Sequence, residues 1–476
     1  MPDLLADGSL PARWARRWAE RPSWPQLRDV DDRWLTSDQL EEMTRHVAGR
    51  LRGAGVAPGE RFVTCAPSSA ALVVAYIGAL RAGLVVVPLN TGYTRAEVTR
   101  IVTDARPALA AVADDERAGW LRELGVRVCG IDVELPGGED EGALDAASAD
   151  DAALLIYTSG TTGRPKGARL SHGNLLASAT AVAAAWEWTP EDRLLLTLPL
   201  FHVHGLGVGL NGALCAGSSL ELRPRFDQDD VLARAAGVSM FFGVPTMYGR
   251  LAASDRCREL APLRLLVSGS APLPPSVAEA IAAATGQLPL ERYGMTETIM
   301  LTTNPLHGER RPGTVGFPFP GVQLRLAADD EIQVCGPNVI DGYWEQPDAT
   351  AEAFTADGWF RTGDLGAFDA DGYLRIIGRS KELIISGGFN VYPREVEEQL
   401  LTHPDVREVA VVGRPSEQWG EEVTAVVVAE RPVEPAVLHA HAAAGLVAYK
   451  VPKRFEFVDE LPRNALGKVV RSRLTG

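Results

Sequence analysis

Residues 154–167 read LLIYTSGTTGRPKG, an apolar run followed by a segment rich in glycine and hydroxyl groups. Glycine allows tight turns that leave backbone N–H groups exposed, and it occurs here as Gly160, Gly163 and Gly167. Hydroxyl donors are supplied by Thr158, Ser159, Thr161 and Thr162, and a positive charge by Lys166. These groups predict a cradle for phosphate oxygens; the alternative is an ordinary surface turn. The order Pro-Lys-Gly excludes a Walker A loop, in which Ser or Thr follows the lysine.

The chain around this segment alternates between short apolar runs and helical patterns. We predict strands at 61–66, 85–89, 109–113, 154–157, 194–198 and 263–267. We predict helices at 95–104, at 231–236 and from near Ser171 onward. The apolar stretch 70–89 is interrupted by Arg81, which favours a buried helix and a strand over a membrane span. This alternation predicts an α/β fold with largely parallel sheets.

The end of the chain has a different pattern. Residues 379–476 contain a predicted helix at 393–402, alternating strands at 406–412 and 423–428, and a basic terminus. We therefore predict two domains. Residues 1–378 would form a large body of parallel-rich sheets packed with helices, with a small β subdomain. Residues 379–476 would form a small, mobile α+β domain.

Composition restricts the possible partners. The 476 residues carry a net charge of −15, which disfavours binding to nucleic acid or to an anionic membrane. The five cysteines lie at least 42 residues apart, so neither a zinc site nor a disulfide framework is predicted. The N-terminal segment lacks the apolar core of a secretory signal. We expect a soluble, cytoplasmic protein, a monomer or weak oligomer, whose partners are small molecules.

Six motifs occur in order along the chain: YTSGTTGRPKG at 157–167, PLFH at 199–202, YGMTE at 293–297, WFRTGD at 359–364, GRSKELIISGGFN at 378–390 and PRNALGK at 462–468. In sequence and order they resemble the adenylate-forming superfamily of acyl-CoA synthetases, aryl-CoA ligases, luciferases and peptide-synthetase adenylation domains. The resemblance extends over residues 30–470. It departs from the luciferase-like members after Leu383, where Ile-Ile-Ser-Gly-Gly lacks their second lysine.

The resemblance implies a reaction in two halves. The carboxylate of an acid attacks the α-phosphate of MgATP, which gives an acyl-adenylate and pyrophosphate. A thiol, usually that of coenzyme A, then displaces AMP. Such chemistry depends on positioning and charge neutralisation more than on a strong nucleophile.

The resemblance also implies roles at the nucleotide. Glu297 would help to hold Mg²⁺, which prefers one or two carboxylates together with phosphate oxygens. Thr296 would contact the α-phosphate, and Asp364 would bind both ribose hydroxyls. Arg379 would be a second contact, to ribose or phosphate. The remaining ATP contacts would come from Tyr293, from the 158–166 loop and from Ser268, whose loop would line both the adenine site and the acyl site. A solvated loop acid is the alternative for Glu297.

A moving domain would deliver further residues. By resemblance, Lys468 neutralises charge during the attack, after the C-terminal domain closes over the site. Lys381 corresponds to the hinge of a rotation that removes Lys468; the alternative is an exposed loop lysine. The same rotation would bring Ser386, Gly387 and Gly388 towards coenzyme A.

Substrate choice is predicted to depend on Arg292. Alternation along a strand places Arg292 and Tyr293 on opposite faces, so Arg292 faces the acyl group if Tyr293 covers adenine. A buried guanidinium needs an anion, and a second carboxylate on the substrate would supply it. The alternative partner is an internal Asp or Glu.

The segments PLFHVHG and ERYGMTET together are similar to malonyl-CoA synthetases, which also accept methyl-substituted malonate. By this resemblance Val203 and Met295 line the space around the α-substituent. His202 and His204 could add a donor, His202 for both binding and catalysis; the alternative is a structural or gating role. We expect ATP-dependent ligation of malonate or methylmalonate to coenzyme A. The alternatives are a ligase for a short-chain or aryl monocarboxylate, an adenylation enzyme that loads a carrier protein, and a non-catalytic nucleotide-binding regulator.

Overall fold

The computed structural model describes residues 3–135, 142, 144–158, 166–416, 418–463 and 469–475. The predicted site residues that lie outside the described residues are Ser159, Gly160, Thr161, Thr162, Gly163 and Lys468. The chain divides into two compact units. The first unit comprises Met1–Leu324 and Val334–Phe360, and the second comprises Arg325–Gln333 and Arg361–Gly476.

Helices occur throughout the described part of the chain. They are α1 (Leu10–Glu20), α2 (Ser37–Gly53), α3 (Ala70–Arg81), α4 (Arg95–Ala105), α5 (Asp115–Glu123), α6 (His172–Ala185), α7 (Asn211–Ala216), α8 (Gln228–Arg234), α9 (Pro245–Ala252), α10 (Pro275–Thr285), α11 (Pro347–Ala353), α12 (Pro393–Leu401) and α13 (Pro435–Gly445). A π-helix at His204–Leu210 precedes α7.

Strands alternate with these helices. They are β1 (Pro25–Arg28), β2 (Trp34–Thr36), β3 (Arg61–Cys65), β4 (Val85–Pro88), β5 (Leu109–Val112), β6 (Arg127–Gly130), β7 (Ala152–Thr158), β8 (Lys166–Ser171), β9 (Arg193–Leu196), β10 (Ser219–Leu222), β11 (Met240–Gly243), β12 (Leu265–Ser268), β13 (Leu290–Tyr293), β14 (Thr302–Thr303), β15 (Phe317–Pro318), β16 (Gln323–Leu326), β17 (Glu331–Cys335), β18 (Phe360–Phe368), β19 (Leu374–Arg379), β20 (Ile384–Ser386), β21 (Phe389–Val391), β22 (Val406–Ser416), β23 (Gly420–Ala429) and β24 (Arg454–Phe457).

The first unit contains two sheets in which parallel pairing dominates. One has the order β6-β5-β3-β4-β7-β8, with parallel neighbours except at β7-β8. The other has the order β15-β14-β13-β12-β11-β9-β10-β1-β2, and its antiparallel pairs lie at the two ends. Both arrangements confirm the predicted α/β class with parallel-rich sheets.

Burial explains why the apolar stretch 70–89 folds as it does. Helix α3 is buried along its length, as expected of a helix without a polar face. Arg81 at its end pairs with Glu41 at 2.7 Å and with Asp145 at 3.0 Å, so its charge is compensated. Strand β4 follows, also buried. The predicted helix and strand are therefore confirmed. Among the described residues, no helix has the length and apolarity that crossing a membrane requires.

The connection after the glycine-rich segment differs from the prediction. Helix α6 begins at His172, and the side chain of Ser171 caps it, as expected. However, strand β8 lies between the segment and this helix and pairs antiparallel with β7. The segment therefore joins two strands of a hairpin. The helix N-terminus does not directly follow it.

The second unit is α+β in composition. A sheet of order β16-β17-β18-β19 belongs mostly to this unit, and a second sheet contains β20 to β24. Helices α12 and α13 pack on the second sheet around a core that includes Val396, Val411 and Leu438. The helix predicted at 393–402 and the two predicted strands are observed. The domain boundary between residues 378 and 379 stays a prediction, and β18 already groups with the second unit from Arg361 onward.

Candidate active site

The two described ends of the glycine-rich segment lie opposite each other. Thr158 ends β7, Lys166 begins β8, and the two residues form a pair in the antiparallel register. The Thr158 hydroxyl donates a hydrogen bond to the Lys166 carbonyl at 3.4 Å. The hairpin thus holds Lys166 at the base of the segment that the sequence predicts to bind phosphate.

Tyr343 connects Lys166 to Glu297. The Lys166 Nζ lies 5.0 Å from the centroid of the Tyr343 ring, within cation–π range. The Tyr343 hydroxyl donates a hydrogen bond to Glu297 Oε1 at 3.1 Å. Burial and the neighbouring Glu297 carboxylate both raise the pKa of Tyr343, so the hydroxyl stays protonated as a donor. One side chain therefore links a cation and a carboxylate that are 131 positions apart in the sequence.

Tyr343 is held in place by backbone pairing with β8. Ala168 and Tyr343 form an antiparallel bridge, and the Trp344 N–H donates to the Gly167 carbonyl at 2.8 Å. Sequence analysis did not identify Tyr343, because the local sequence Gly-Tyr-Trp does not indicate that the tyrosine contacts Lys166 and Glu297. Its role depends on a long-range pairing that local patterns do not encode.

Glu297 lies in a turn with a strained backbone. Ile299 has a φ of +59°, a conformation that is unfavourable for a β-branched residue. Three contacts keep the turn closed: Ile299 N–H to the Met295 carbonyl at 2.8 Å, Ile340 N–H to the Glu297 carbonyl at 2.9 Å, and Asn338 Nδ2 to the Thr298 carbonyl at 2.7 Å. Thr296 and Glu297 are both buried there, with 9% and 6% exposure. Strain of this kind persists where surrounding contacts over-determine a functional turn.

The donor set around Glu297 suits one kind of metal. Within the described residues, no group of three or more His, Cys, Asp or Glu side chains could hold an ion alone. A single fixed carboxylate instead fits Mg²⁺ that brings its own phosphate oxygens. Bound with ATP, Mg²⁺ would neutralise negative charge on the phosphates.

Replacing Tyr343 by phenylalanine tests this link. The variant keeps the ring beside Lys166 but removes the hydrogen bond to Glu297. We expect the Mg²⁺ concentration for half-maximal activity to rise about 5- to 10-fold, equivalent to one lost hydrogen bond of ~1 kcal/mol. Tyr343→Leu also removes the ring and should additionally raise the KM for ATP. A Mg²⁺ titration of ATP–pyrophosphate exchange measures both effects.

The control is Tyr157→Phe, because the Tyr157 hydroxyl, on strand β7, also donates to a carboxylate, that of Asp104 in helix α4. Equal Mg²⁺ dependence of Tyr343→Phe and Tyr157→Phe would contradict the role assigned to Tyr343.

Arg292 is buried on β13 with unsatisfied donors. Its exposure is 6%, and neither Nε nor Nη2 has a hydrogen-bond partner among the described residues. Burial lowers the pKa of Arg292 to about 9, because the charged guanidinium has lost its water. Tyr293, the next residue, is half-buried, consistent with the predicted alternation of faces. A buried charge whose donors lack partners is costly, and an anion that contacted those donors would offset the cost.

The loop after β12 lies beside Arg292. Ser268 is 1% exposed, and its Oγ has no hydrogen-bond partner in the described part of the chain. Ser270 has a φ of +71°, and its Oγ lies 3.1 Å from His204 Nδ1. His204 is buried at the start of the π-helix, an irregularity often found at functional sites.

The predicted lining residues lie near these elements in the chain. Val203 is buried, whereas His202 and Met295 are half-buried. Of the two histidines that sequence analysis offered as donors, His204 has its Nδ1 3.1 Å from Ser270 Oγ.

Two predicted ribose contacts meet in the second unit. Asp364 and Arg379 are partners in the register of β18 and β19, and Arg379 Nε lies 3.0 Å from Asp364 Oδ1. The Asp364 side chain is 6% exposed, against 58% for Arg379. Lys381 follows in an exposed turn.

The predicted coenzyme A segment forms a tight hairpin. Ser386 pairs with Phe389, and between them Gly387 and Gly388 have φ values of +59° and +82°. Two consecutive positive φ angles are typical of a type I′ turn, which glycine adopts without strain. The Gly387 N–H donates to the Trp419 carbonyl at 2.8 Å.

Parallel-rich sheets, two paired strands that flank a hydroxyl-rich segment with a cation at its end, and an α+β unit are together typical of the adenylate-forming class of enzymes. Comparison with known families agrees. Residues 13–344 match the family described as AMP-binding enzyme, and residues 395–468 match the AMP-binding enzyme C-terminal domain. The chain belongs to the AMP-binding enzyme family.

Proteins with similar sequences are CoA ligases or synthases that are named for different acids. Sulfoacetate–CoA ligase from Cupriavidus necator is 38% identical, covering 98% of this chain and 97% of its own. Feruloyl-CoA synthase from Amycolatopsis is 37% identical, covering 92% of both chains. Malonate–CoA ligase from Arabidopsis thaliana is 35% identical, covering 89% of this chain and 79% of its own.

Solved structures show the same architecture. ATP-bound MatB from Rhodopseudomonas palustris has a TM-score of 0.92 and 38% identity, covering 98% of both chains. An o-succinylbenzoate CoA synthetase from Bacillus subtilis, in complex with ATP and magnesium ion, has a TM-score of 0.89 and 31% identity, covering 97% of this chain and 98% of that one.

Proposed function

We propose that this protein ligates an acid with a second anionic group, foremost malonate or methylmalonate, to coenzyme A. The carboxylate oxygen attacks the α-phosphorus of MgATP and pyrophosphate leaves. The thiol sulfur of coenzyme A then attacks the acyl carbon, and AMP leaves as the thiol proton is lost. The family, the hairpin with Lys166 and the Tyr343-linked Glu297 support the nucleotide half of this proposal.

The choice of acid depends on one observation, the unpaired buried guanidinium of Arg292. Two of the similar proteins are named for malonate and sulfoacetate, which both carry an anion one methylene away from the reacting carboxylate. Such an anion would satisfy Nε and Nη2 with two charge-assisted hydrogen bonds. The Ser268 hydroxyl and the His204–Ser270 pair offer further polar contacts near the same loop.

The chain's own residues would act mainly by positioning and charge. The 158–166 hairpin would hold the phosphates, with Lys166 as their countercharge, and Thr296 would contact the α-phosphate. Tyr293 and Ser268 would contact the adenine, and Asp364 with Arg379 would bind the ribose. Lys468, which lies outside the described residues, is proposed to neutralise charge during the attack. The hinge role of Lys381 remains a proposal of the same kind.

The second half of the reaction is assigned to the hairpin of the second unit. Glycines at 387 and 388 leave the turn without side chains, so a pantetheine arm could pass close to the backbone. Ser386, which is 3% exposed, would stay within the sheet beneath that path. We assign thioester formation to this turn, and adenylation to the first unit's residues together with Asp364, Arg379 and Lys468.

The similarity to feruloyl-CoA synthase favours a second candidate, an aryl monocarboxylate ligase. That function would leave the Arg292 donors unsatisfied in the complex, which costs binding energy, and it therefore ranks second. A stand-alone adenylation enzyme would share the same first half-reaction.

We further propose a cytoplasmic location, because free thiols such as the buried Cys65, Cys215 and Cys257 suit a reducing compartment.

A panel of acids tests the proposal. Purified protein with ATP, Mg²⁺ and coenzyme A is offered malonate, methylmalonate, sulfoacetate, propionate and ferulate, and thioester and AMP are quantified. We expect kcat/KM for at least one diacid or sulfonated acid to exceed that for propionate by about 100-fold, as one buried ion pair allows. A preference for ferulate would establish the second candidate. Transfer to a phosphopantetheinyl carrier but not to coenzyme A would indicate a carrier-loading enzyme.

A further inference from the structure

Gly269 lies against the Arg292 guanidinium. Strands β12 and β13 are parallel, with Ser268 beside Glu291, so the next residues in register are Gly269 and Arg292. A Cβ built on Gly269 would lie 2.4 Å from Arg292 Cζ, 2.4 Å from Nε and 2.9 Å from Cδ. These distances are far below van der Waals contact. The space that the guanidinium occupies exists only because residue 269 has no side chain.

Backbone conformation does not explain this glycine. Gly269 is not among the glycines with positive φ, whereas the following residue, Ser270, has a φ of +71°. The residue with strained backbone is therefore the serine, whose hydroxyl meets His204, and the glycine takes a conformation open to any residue. Steric room for Arg292 is a reason for a glycine at 269 that the packing supplies directly.

We propose that Gly269 is a positioning residue that fixes the Arg292 guanidinium and thereby determines the preference for acids with a second anion. The preference for a second anion rests on the proposed function, whereas the position of Gly269 against Arg292 rests on the packing alone. An alanine at 269 leaves the backbone free to keep its path, so the flexible guanidinium is the group that moves. Its two donors then no longer meet the substrate anion.

The test compares Gly269→Ala, Arg292→Ala, the double variant and Gly249→Ala. The control Gly249→Ala adds a methyl group in helix α9 of the same unit, where nothing lies within 4 Å. In Gly269→Ala we expect kcat/KM for malonate to fall about 50-fold or more, mainly through KM, from the loss of charge-assisted contacts. Activity with propionate should change less than about 3-fold, the range of a substitution without lost polar contacts. The double variant should have the same kcat/KM for malonate as Arg292→Ala alone. Gly269 acts through Arg292, and the effects of coupled residues are not additive.

A second readout separates this proposal from the proposed function. Thermal unfolding without substrate should show a lower midpoint for Gly269→Ala than for wild type. The Arg292→Ala background should abolish that decrease by removing the clash. Additive effects on the midpoint would overturn the assignment of Gly269. If wild type shows no preference for malonate over propionate, the proposed function fails, and the unfolding cycle still decides whether Gly269 holds the guanidinium.

Discussion

Replacing Arg292 by alanine is expected to raise the KM for malonate by about 10²–10³-fold, corresponding to ~3–4 kcal/mol for the loss of a buried charge partner. The kcat should change much less, because the proposed contact of Arg292 is with the distal anion and not with the reacting carboxylate. Propionate should be used as well as before or better. Steady-state kinetics with both acids measures the split between KM and kcat.

Replacing Arg292 should increase the stability of the free protein although it lowers the affinity for malonate. In the absence of substrate, Arg292 is a buried charge whose Nε and Nη2 have no partner in the described part of the chain. An apolar residue of similar length, as in Arg292→Met, should therefore raise the free energy of unfolding by ~1–3 kcal/mol. Saturating malonate should raise the thermal midpoint of wild type but leave that of Arg292→Met unchanged.

Two variants control this prediction. Arg310→Ala removes another partly buried arginine of the first unit, which donates to backbone carbonyls such as that of Leu288 at 2.6 Å. It should lower stability without changing the malonate-to-propionate ratio. Arg292→Lys should recover part of the affinity, because an ammonium supplies the charge but not the planar fork. Equal losses for malonate and propionate in Arg292→Ala would refute the specificity role.

Replacing Glu297 by glutamine is expected to lower carboxylate-dependent ATP–pyrophosphate exchange by about 10²–10³-fold, the usual effect of removing one preorganised electrostatic contact. Glutamine keeps an oxygen that accepts the Tyr343 hydrogen bond, so the turn should retain its geometry. Only the negative charge is lost. Raising the Mg²⁺ concentration should restore part of the activity, because weaker metal binding is the cause.

The matched control is Glu345→Gln. Glu345 lies two positions beyond Tyr343, is exposed, and pairs with Arg106. The substitution Glu345→Gln removes the same charge from the same region without changing the proposed site. ATP–pyrophosphate exchange should therefore stay within about 2-fold of wild type, as for most surface substitutions. Exchange by Glu297→Gln at the level of this control would rule out Glu297 as the Mg²⁺ ligand.

Much of the architecture was predictable because it depends on local patterns. Buried parallel strands are near-continuous apolar runs, and the strands at 61–66 and 85–89 were found for that reason. Strand β8 was missed because Lys-Gly-Ala-Arg-Leu-Ser carries no strong apolar signal, and its pairing with β7 is what makes it a strand.

The candidate site was predictable to a different degree. Residue type and strand alternation indicated Lys166 and Arg292, since phosphate and a second anion each require a cation, whereas Glu297 was indicated by the resemblance to the family. The bridging role of Tyr343 and the Ser270–His204 contact could not be read in the same way. Both depend on segments far apart in the chain that meet only after folding.

By itself, then, the sequence predicted the α/β class and the candidate cations, because short-range periodicity and residue chemistry are local properties, and its resemblance to the family supplied the candidate carboxylates. Only the tertiary structure decided which of these groups are buried and which remain unpaired. Desolvation and steric clearance belong to the packed chain, and so the unsatisfied donors of Arg292 and the space left by Gly269 became visible only with the fold.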